Sequence, residues 1–548
     1  MKSTKLIVLC TLLSSAAYAQ TGYDVQRFSE SELNGTARFV GMGGAMGALG
    51  ADISVTATNP AGIGLFRRNE VSTTASFNAL RSKSDFVGNV MKEEKNMASF
   101  DQAGFVYSMK IGNRTSMRYI NFAFNYHKSN NLNRLFSAGG FLEGLSQTQQ
   151  MANMVDGSIE SISEIDRIYN YDPKLDGYSQ NPYNSDTYYP YLGVMGIRSE
   201  LVTKDQEGVS PVGWYGDRNF YNRREKGGIQ DYDFNVAFNI EDRMYFGVTL
   251  GIHDVNYTRS TYYSEDIYYY PGGEIPKEVK EPYEEAPYKG YYEIEQAMQT
   301  EGTGIDLKLG AIFRPIEDSP FRFGFALHTP TWYDLSDLYD SRVFSKLIYN
   351  FEDEQGTYTE KFEANEIVSD YVDGNTLMEY KLVTPWKVNL NMGTTLAGVM
   401  ALGAEYEYAG YTNSKLRYVD GYNMDFQNDK IKDEMKGMHT LRLGMEARVT
   451  DRFSVRAGYN YSSSVFDKGA NKALEWYDMR TDTEYNNKFN QNTLTVGLGY
   501  KGRIFYVDAA YKYNMYKSDF YAFSAEDLQA TKLTNEKHQA LVTVGARF

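Results

Sequence analysis

Strict alternation of apolar and polar side chains recurs along the chain in short blocks. In "RYINFAFNYHK", Ile120, Phe122, Phe124 and Tyr126 fall on one face; Tyr119, Asn121, Ala123, Asn125 and His127 fall on the other. "YFGVTLGIHDV" sets Phe246, Val248, Leu250 and Ile252 against Gly247, Thr249, Gly251 and His253. "FRFGFALH", "LRLGMEARV", "TLTVGLGY" and the closing "HQALVTVGARF" repeat the pattern. Successive side chains of a strand point to opposite faces, so each block predicts a β-strand with one apolar face and one small or polar face. About fourteen strands are expected, an even number of the kind bacterial single-chain barrels have. They start near Glu70, Phe100, Met117, Asp231, Arg243, Gly302, Phe321, Val383, Val399, His439, Arg452, Asn492, Arg503 and His538.

Connection lengths decide which face meets water. Short links ("IGNRTS", "IEDR", "PIEDSP", "LAG", "TD", "KGR") alternate with long ones at 81–99, 129–230, 257–301, 333–382, 411–437, 463–490 and 516–537. With the last strand ending at Phe548, every short link falls at one end. Outer-membrane barrels have tight periplasmic turns and long outer loops; a soluble sandwich has no reason to sort its loops this way. The expected fold is all-β: a transmembrane antiparallel barrel over 70–548, with residues 20–69 plugging the lumen. The largest outer loop, about 129–230, contains "GGFLEGLSQTQQMANMVDGSIESISEIDRIY", which predicts one or two surface helices. That loop would either shape what is captured or cap the barrel mouth.

Composition agrees. The chain has 47 Tyr and 30 Phe, yet its mean hydropathy is −0.51. It is aromatic and polar at once, as alternating membrane strands are. No apolar run of about eighteen residues follows the first nineteen, so no membrane helix is expected. Those first nineteen residues, with Lys2, Lys5, "LIVLCTLL" and "AYA", read as a signal peptide cleaved near Ala19. Cys10 is the one cysteine and leaves with it, so no disulfide or thiolate metal site is expected. A net charge of −15 argues against a nucleic-acid surface.

The glycine-dense stretch Gly41–Phe66, "GMGGAMGALGADISVTATNPAGIGLF", is not a nucleotide loop. Met46 stands where a dinucleotide fingerprint needs its third glycine, no GK[ST] occurs, and no βαβ unit follows. Glycine and alanine instead suit close backbone packing against a barrel wall. In that setting Asn59, Pro60, Ala61 and Gly62 resemble the hatch motif of the FadL/TodX/OmpP1 family of outer-membrane hydrophobic-compound transporters.

The resemblance implies a fourteen-stranded barrel with an N-terminal hatch and passive uptake without a cofactor. A hydrophobic small molecule, long-chain fatty acid-like or aromatic, would be captured by outer loops. It would pass to a lumen pocket and leave sideways through the wall after the hatch shifts. The expected partners are that ligand, outer-membrane lipid, and the barrel-assembly machinery, which would read the terminal Phe548. A monomer in the outer membrane is expected. The alternative is a non-transporting barrel of the same fold, serving as a secretion accessory or surface anchor; a surface adhesin is a third reading. A kinked barrel strand that opens the wall would favour transport.

His127, His253 and His328 fall on polar faces, with Arg322, Glu405, Arg442, Glu446 and Arg448. All eight are candidate lumen residues. The histidines would either converge on a metal or haem or simply line a wet lumen, and their spacing carries no metal signature. Charges on this face would pair around a plug. No G-x-S-x-G occurs and the histidines lie opposite the lipid-facing residues, so no enzyme is expected. Trp332, Trp386, Tyr406, Tyr408, Tyr459 and Tyr461 suit an interfacial girdle.

Overall fold

The computed structural model describes residues 20–177, 180–184, 189–353, 356–372, 376–472, 474 and 478–548; the expected signal peptide, residues 1–19, lies outside them. Nineteen strand segments form one antiparallel sheet. Four pairs of segments join end to end, and one segment, Gly356–Ile367, is only a hairpin partner, which leaves fourteen strands. They are β1 (Glu70–Phe86), β2 (Asn89–Lys110), β3 (Met117–Asn131 and Arg134–Gly144), β4 (Tyr215–Ile240), β5 (Met244–Tyr269), β6 (Tyr288–Phe313), β7 (Arg322–His328 and Trp332–Asp353), β8 (Thr376–Val383 and Lys387–Leu396), β9 (Met400–Ala409 and Lys415–Tyr418), β10 (Met438–Arg448), β11 (Phe453–Ser462), β12 (Tyr485–Lys501), β13 (Phe505–Tyr521) and β14 (Thr531–Arg547). β1 pairs with β14 from Glu70↔Arg547 to Asp85↔Lys532, closing the barrel. Asn69 and Phe548 exchange backbone hydrogen bonds at 3.1 Å and fasten the two ends.

The phase read from the sequence holds. Phe122, Phe246, Val248, Leu250, Ile252, Phe323, Phe325, Leu441 and Leu494 are exposed on the outer face. They form an apolar belt with the character of a lipid-facing surface. Trp332 and Trp386 stand half exposed at its upper edge, where an amphipathic ring suits the interface.

The strands run well beyond that belt, which corrects several expected loops. Residues 81–99 are not a loop: β1 and β2 continue in register to Phe86↔Asn89 around the tight turn Val87-Gly88, both at positive φ. β4 starts at Tyr215 rather than Asp231, and most of 257–301 belongs to β5 and β6. The reason shows along β5. Below His253 the apolar side chains point out, at Phe246, Val248, Leu250 and Ile252. Above it they point in, at Val255, Tyr257, Tyr263 and Ile267, while Asp254 and Asn256 face solvent. Apolar parity inverts where the wall leaves lipid for water, so one continuous strand reads as a strand followed by a loop.

Residues 20–66 fill the lumen as two short helices and two 3-10 turns. These are α1 (Gly22–Ser29), α2 (Ala37–Gly41), Ile53–Ala57 and Pro60–Leu65. Each begins at a residue suited to cap it. Thr21 and Asp24 form a capping box, and the Thr36, Asp52 and Asn59 side chains accept from Phe39, Ser54 and Ala61 N–H groups.

The expected helices of 129–230 are α3 (Gln147–Asp156) and α4 (Ser163–Tyr169), with α5 (Tyr191–Arg198) added. They do not lie loosely on the surface. Met151, Leu192, Met195, Ile197 and Trp214 pack with Tyr292, Val343, Leu347 and Phe520 of the rim in one buried cluster. This is a cap over the mouth.

Phe548 is 67% exposed and its contacts are with the Asn69 backbone. Phe548→Ala is therefore expected to leave the melting temperature of the purified barrel unchanged. If the side chain is an assembly signal, the folded, heat-modifiable fraction recovered from membranes falls several-fold; an unchanged fraction removes that role.

Candidate functional site

The plug touches the wall backbone-to-backbone, and wall glycines permit it. A Cβ on Gly310 would collide with Asn59 Oδ1, one on Gly247 with the Pro60 carbonyl, one on Gly403 with the Ala45 carbonyl, and one on Gly444 with that of Met42. Gly247 and Gly444, visible in the sequence as small residues on the inward face, are the track on which the plug lies. Asn59 sits at its centre. It caps the Pro60–Leu65 turn through Oδ1, while Nδ2 donates to Asn391 Oδ1 at 2.7 Å and to Ala311 O at 3.3 Å. Pro60, Ala61 and Gly62 form the start of that turn and are buried.

Charges complete the attachment. Arg38 forks onto Glu446 at 2.9 and 3.1 Å, and Glu446 also accepts from Arg456 at 2.6 Å. Arg442 bonds Glu405 at 2.6 Å and Glu407 at 3.1 Å, and Gly47 N–H donates to Glu405 at 3.3 Å. Arg322 donates to Leu49 O at 3.3 Å. Higher up, Asp24 of α1 pairs with Arg27 at 2.5 Å and with Arg480 of the 463–484 loop at 2.6 Å. Burial pushes the Asp24 carboxyl up, but Arg480 and Arg27 outweigh it and hold it below the usual carboxylate range. This pairing therefore contributes stability above the ordinary carboxylate pKa and loses it as pH falls.

Between α1 with the residues after it and the lower plug at Ala57 and Thr58 lies a cavity of about 110 Å³, lined by residues of ten wall strands, β3 to β12. His127, His253, His328 and Arg442 of the sequence candidates line it. The histidines do converge, because β3, β4, β5, β6 and β7 are neighbours. His253 Nδ1 lies 2.7 Å from Asp231 and its Nε2 3.1 Å from Asp306. His127 lies 3.6 Å from Asp231 and 3.8 Å from Asp233, and Lys308 bonds Asp233 at 2.9 Å. His328 Nε2 sits 2.9 Å from the Thr58 carbonyl of the plug. Among the described residues no His, Cys, Asp or Glu group has a metal-holding arrangement; the cluster is an ion-pair network.

Two placements differ from the sequence reading. Arg448 keeps the inward parity but is exposed, because it is the last residue of β10 and stands at the rim. Asp231, Asp233, Asp306 and Lys308 were not among the candidates, although "DYD" and "DLK" show the same period-two pattern.

The wall parts between β2 and β3. β2 and β3 are paired from Lys110↔Tyr119 up to Gln102↔His127 and no further. Above that level β2 stays with β1, while β3 follows β4, interrupted at Leu132-Asn133. The upper half of β3 lies inside the β1–β2 hairpin: Ser82 and Ser84 hydroxyls, on buried positions of β1, donate to Leu135 O and Ser137 O at 2.6 Å. His127 is in register with Asp231 and, through it, His253. The parting therefore begins at the upper edge of the apolar belt.

These features define a membrane β-barrel with a lumenal plug, an inturned strand and an internal cavity. No family model matches the chain, and no curated protein matches it. Among solved structures it is similar to a Pseudomonas aeruginosa FadL homologue, at 11% identity and a TM-score of 0.50 over 95% of this chain and 100% of that one. It is also similar to the Pseudomonas putida toluene transporter TodX, at 10% identity and a TM-score of 0.48 over 94% and 99%. The chain has the fold of the FadL homologue.

Gly403→Val should unseat the plug, while Gly469→Ala, whose added carbon meets nothing within 4 Å, should not. The readout is planar-bilayer conductance: a steady open level for G403V and a closed one for G469A. Indistinguishable traces would show that the plug does not depend on the glycine track. Arg38→Met should loosen the same segment, by less than the roughly 3–5 kcal/mol lost on breaking a fully buried pair, because Arg38 and Glu446 are each partly exposed. The expected sign is faster protease cleavage within 20–66.

Proposed function

We propose that this chain is an outer-membrane channel for passive uptake of hydrophobic small molecules. The observation that carries the reading is the parting of β2 and β3 beside an internal cavity, at the level where the belt ends. A greasy molecule that leaves sideways re-enters hydrocarbon without crossing water. In this reading the ligand enters under the cap, rests above the lower plug and exits through the parting once the plug shifts. Residues 1–19 act as the leader, 20–69 as the hatch, and the barrel inserts as a monomer. The shared fold of the Pseudomonas aeruginosa FadL homologue supports this reading.

The buried cap favours a second reading, a surface anchor for a partner protein. Its helices close the mouth rather than frame an open groove.

The two readings separate in one experiment. Lys128 Nζ donates to Ser99 Oγ across the parting at 2.8 Å. Ser99→Cys with Lys128→Cys, bridged by a bis-methanethiosulfonate that forms a reducible disulfide with each thiol and releases methanesulfinate, should lower uptake of a labelled long-chain fatty acid into cells several-fold, with recovery on reduction. Uptake indifferent to the bridge would exclude this exit. Saturable binding of fatty acids or aromatic hydrocarbons that changes on deleting 20–65 supports the channel. A folded barrel that binds none of them supports the anchor.

A further inference from the structure

β4 starts at Tyr215 and β5 ends at Tyr269, the ends remote from their short link at 241–243. There, where the cap meets the strand tips, lies a concavity of about 470 Å³ that the uptake reading does not use. Three segments build it. Val202–Lys204 pairs with Pro211–Gly213 as a small hairpin. Asp205 closes its turn: the backbone N–H donates to Ser210 O at 2.8 Å, and the side chain accepts from Val209 N–H at 2.7 Å. Gln206 and Glu207 are exposed in that turn. Gly213 lets the hairpin lie on the first turn of α3, since an added Cβ would meet Gln149 N at 2.5 Å. Gln149 and Asn153, four residues apart on one face of α3, line the concavity beside the hairpin turn. The strand tips supply Tyr215 and Tyr269.

The two rings are fixed in place. Tyr215 stacks on Tyr268 with centroids 5.6 Å apart, and its hydroxyl donates to Gly273 O at 2.5 Å. Tyr269 has Trp214 at 6.1 Å and a nearly parallel Tyr288 at 6.4 Å. The polar side chains are uncommitted. Among the described residues, those of Gln149, Asn153, Gln206 and Glu207 make no hydrogen bond or ion pair. Three amides and a carboxylate therefore share one space with two held aromatic rings.

This mixture selects a chemistry. Planar amide and carboxylate groups present paired donors and acceptors that can bridge neighbouring hydroxyls. The electron-rich face of an aromatic ring receives polarised C–H groups, such as those on one side of a pyranose. A purely apolar ligand would strip water from four polar groups and return nothing to them. An anion would meet the carboxylates of Asp205 and Glu207 and no lining cation. A cation would leave the amide N–H groups idle. The volume falls within the roughly 300–1,000 Å³ of small-ligand sites, and the exposed Asn153, Gln206 and Glu207 leave one side open for a chain to continue.

We propose that this concavity binds a neutral saccharide. One sugar ring stacks on Tyr269, and its hydroxyls are bridged by Gln149, Asn153, Gln206 and Glu207. The site stands at the loop end of the barrel and does not depend on what the lumen carries.

The full mature barrel is purified in a polyoxyethylene detergent, which contains no sugar. Calorimetry and saturation-transfer NMR are run with maltohexaose, cellohexaose, chitohexaose and hexagalacturonate. At least one neutral hexamer should bind saturably, with hexagalacturonate about tenfold weaker or silent because of like charge. Tyr269→Ala should weaken that hexamer about tenfold, the order of one aromatic contact, and Tyr269→Phe should not. Asn153→Ala combined with Gln206→Ala changes only exposed side chains. It should lose several-fold in affinity at an unchanged melting temperature, and it decides the matter if Y269A fails to fold. No binding of any neutral hexamer to a folded barrel overturns the site. So does binding that these variants leave unchanged, or hexagalacturonate that binds as tightly as the neutral chains.

Discussion

A β-strand edge in contact with hydrocarbon has no water to satisfy its N–H and C=O groups, so a membrane sheet must close on itself. Closure here runs from β1 to β14 over the whole length of β1, and Asn69 and Phe548 fasten the ends. This constraint makes the parting of β2 and β3 informative. β2 and β3 separate only above Gln102 and His127, where the outer face has already changed from apolar to polar on neighbouring strands. The backbone freed by the separation is not abandoned. β4 keeps the outer ladder of β3, and serine hydroxyls of β1 meet carbonyls of its inturned half. A similar repair appears where Pro330 and Pro385 interrupt β7 and β8: Thr331 and Thr384 carry hydrogen bonds across the gap at 2.7 and 3.1 Å.

The lumen is held by a different balance. Its lower part joins an apolar cluster around Phe39, Met42, Met46, Ile53 and Ile63 to partly buried ion pairs such as Arg38–Glu446 and Arg442–Glu405. Buried pairs roughly break even against hydration when both partners regain water together. A plug latched this way is specific in position without being strongly held by each latch. Its upper end, at Asp24, is tied to Arg480 of an outer loop rather than to the wall alone. The plug thus reaches from the short-turn end to the loops that meet the exterior.

Much of this was legible in the sequence, and the limits have physical causes. Lipid-facing parity at Phe246 to Ile252 fixed the strand phase because one face alone was apolar. The continuation of β5 past His253 was hidden because the apolar face switches sides there. Glycines at 247 and 444 were visible as small inward residues, but their purpose needed the plug in place. Asn59 and Pro60 marked a turn by local chemistry alone. The histidine, aspartate and lysine network was only half seen: period-two spacing shows which face a residue takes, not that four neighbouring strands bring His127, His253 and Lys308 together. The inturned half of β3 has no periodic signal at all, since "AGG" within it alternates nothing.

β4, β5 and β6 each run for 26 residues. At roughly 3.3 Å per residue and a tilt near 40°, such a strand rises about 65 Å, against an apolar band of about 25 Å. The cap is consequently carried some tens of ångströms clear of the bilayer on a stiff, hydrogen-bonded stalk. A macromolecule approaching from that side would meet the cap and its surrounding loops first, with the plug well below. Sequence change in that cap is then mechanically separate from the plug and wall contacts at the level of the lipid.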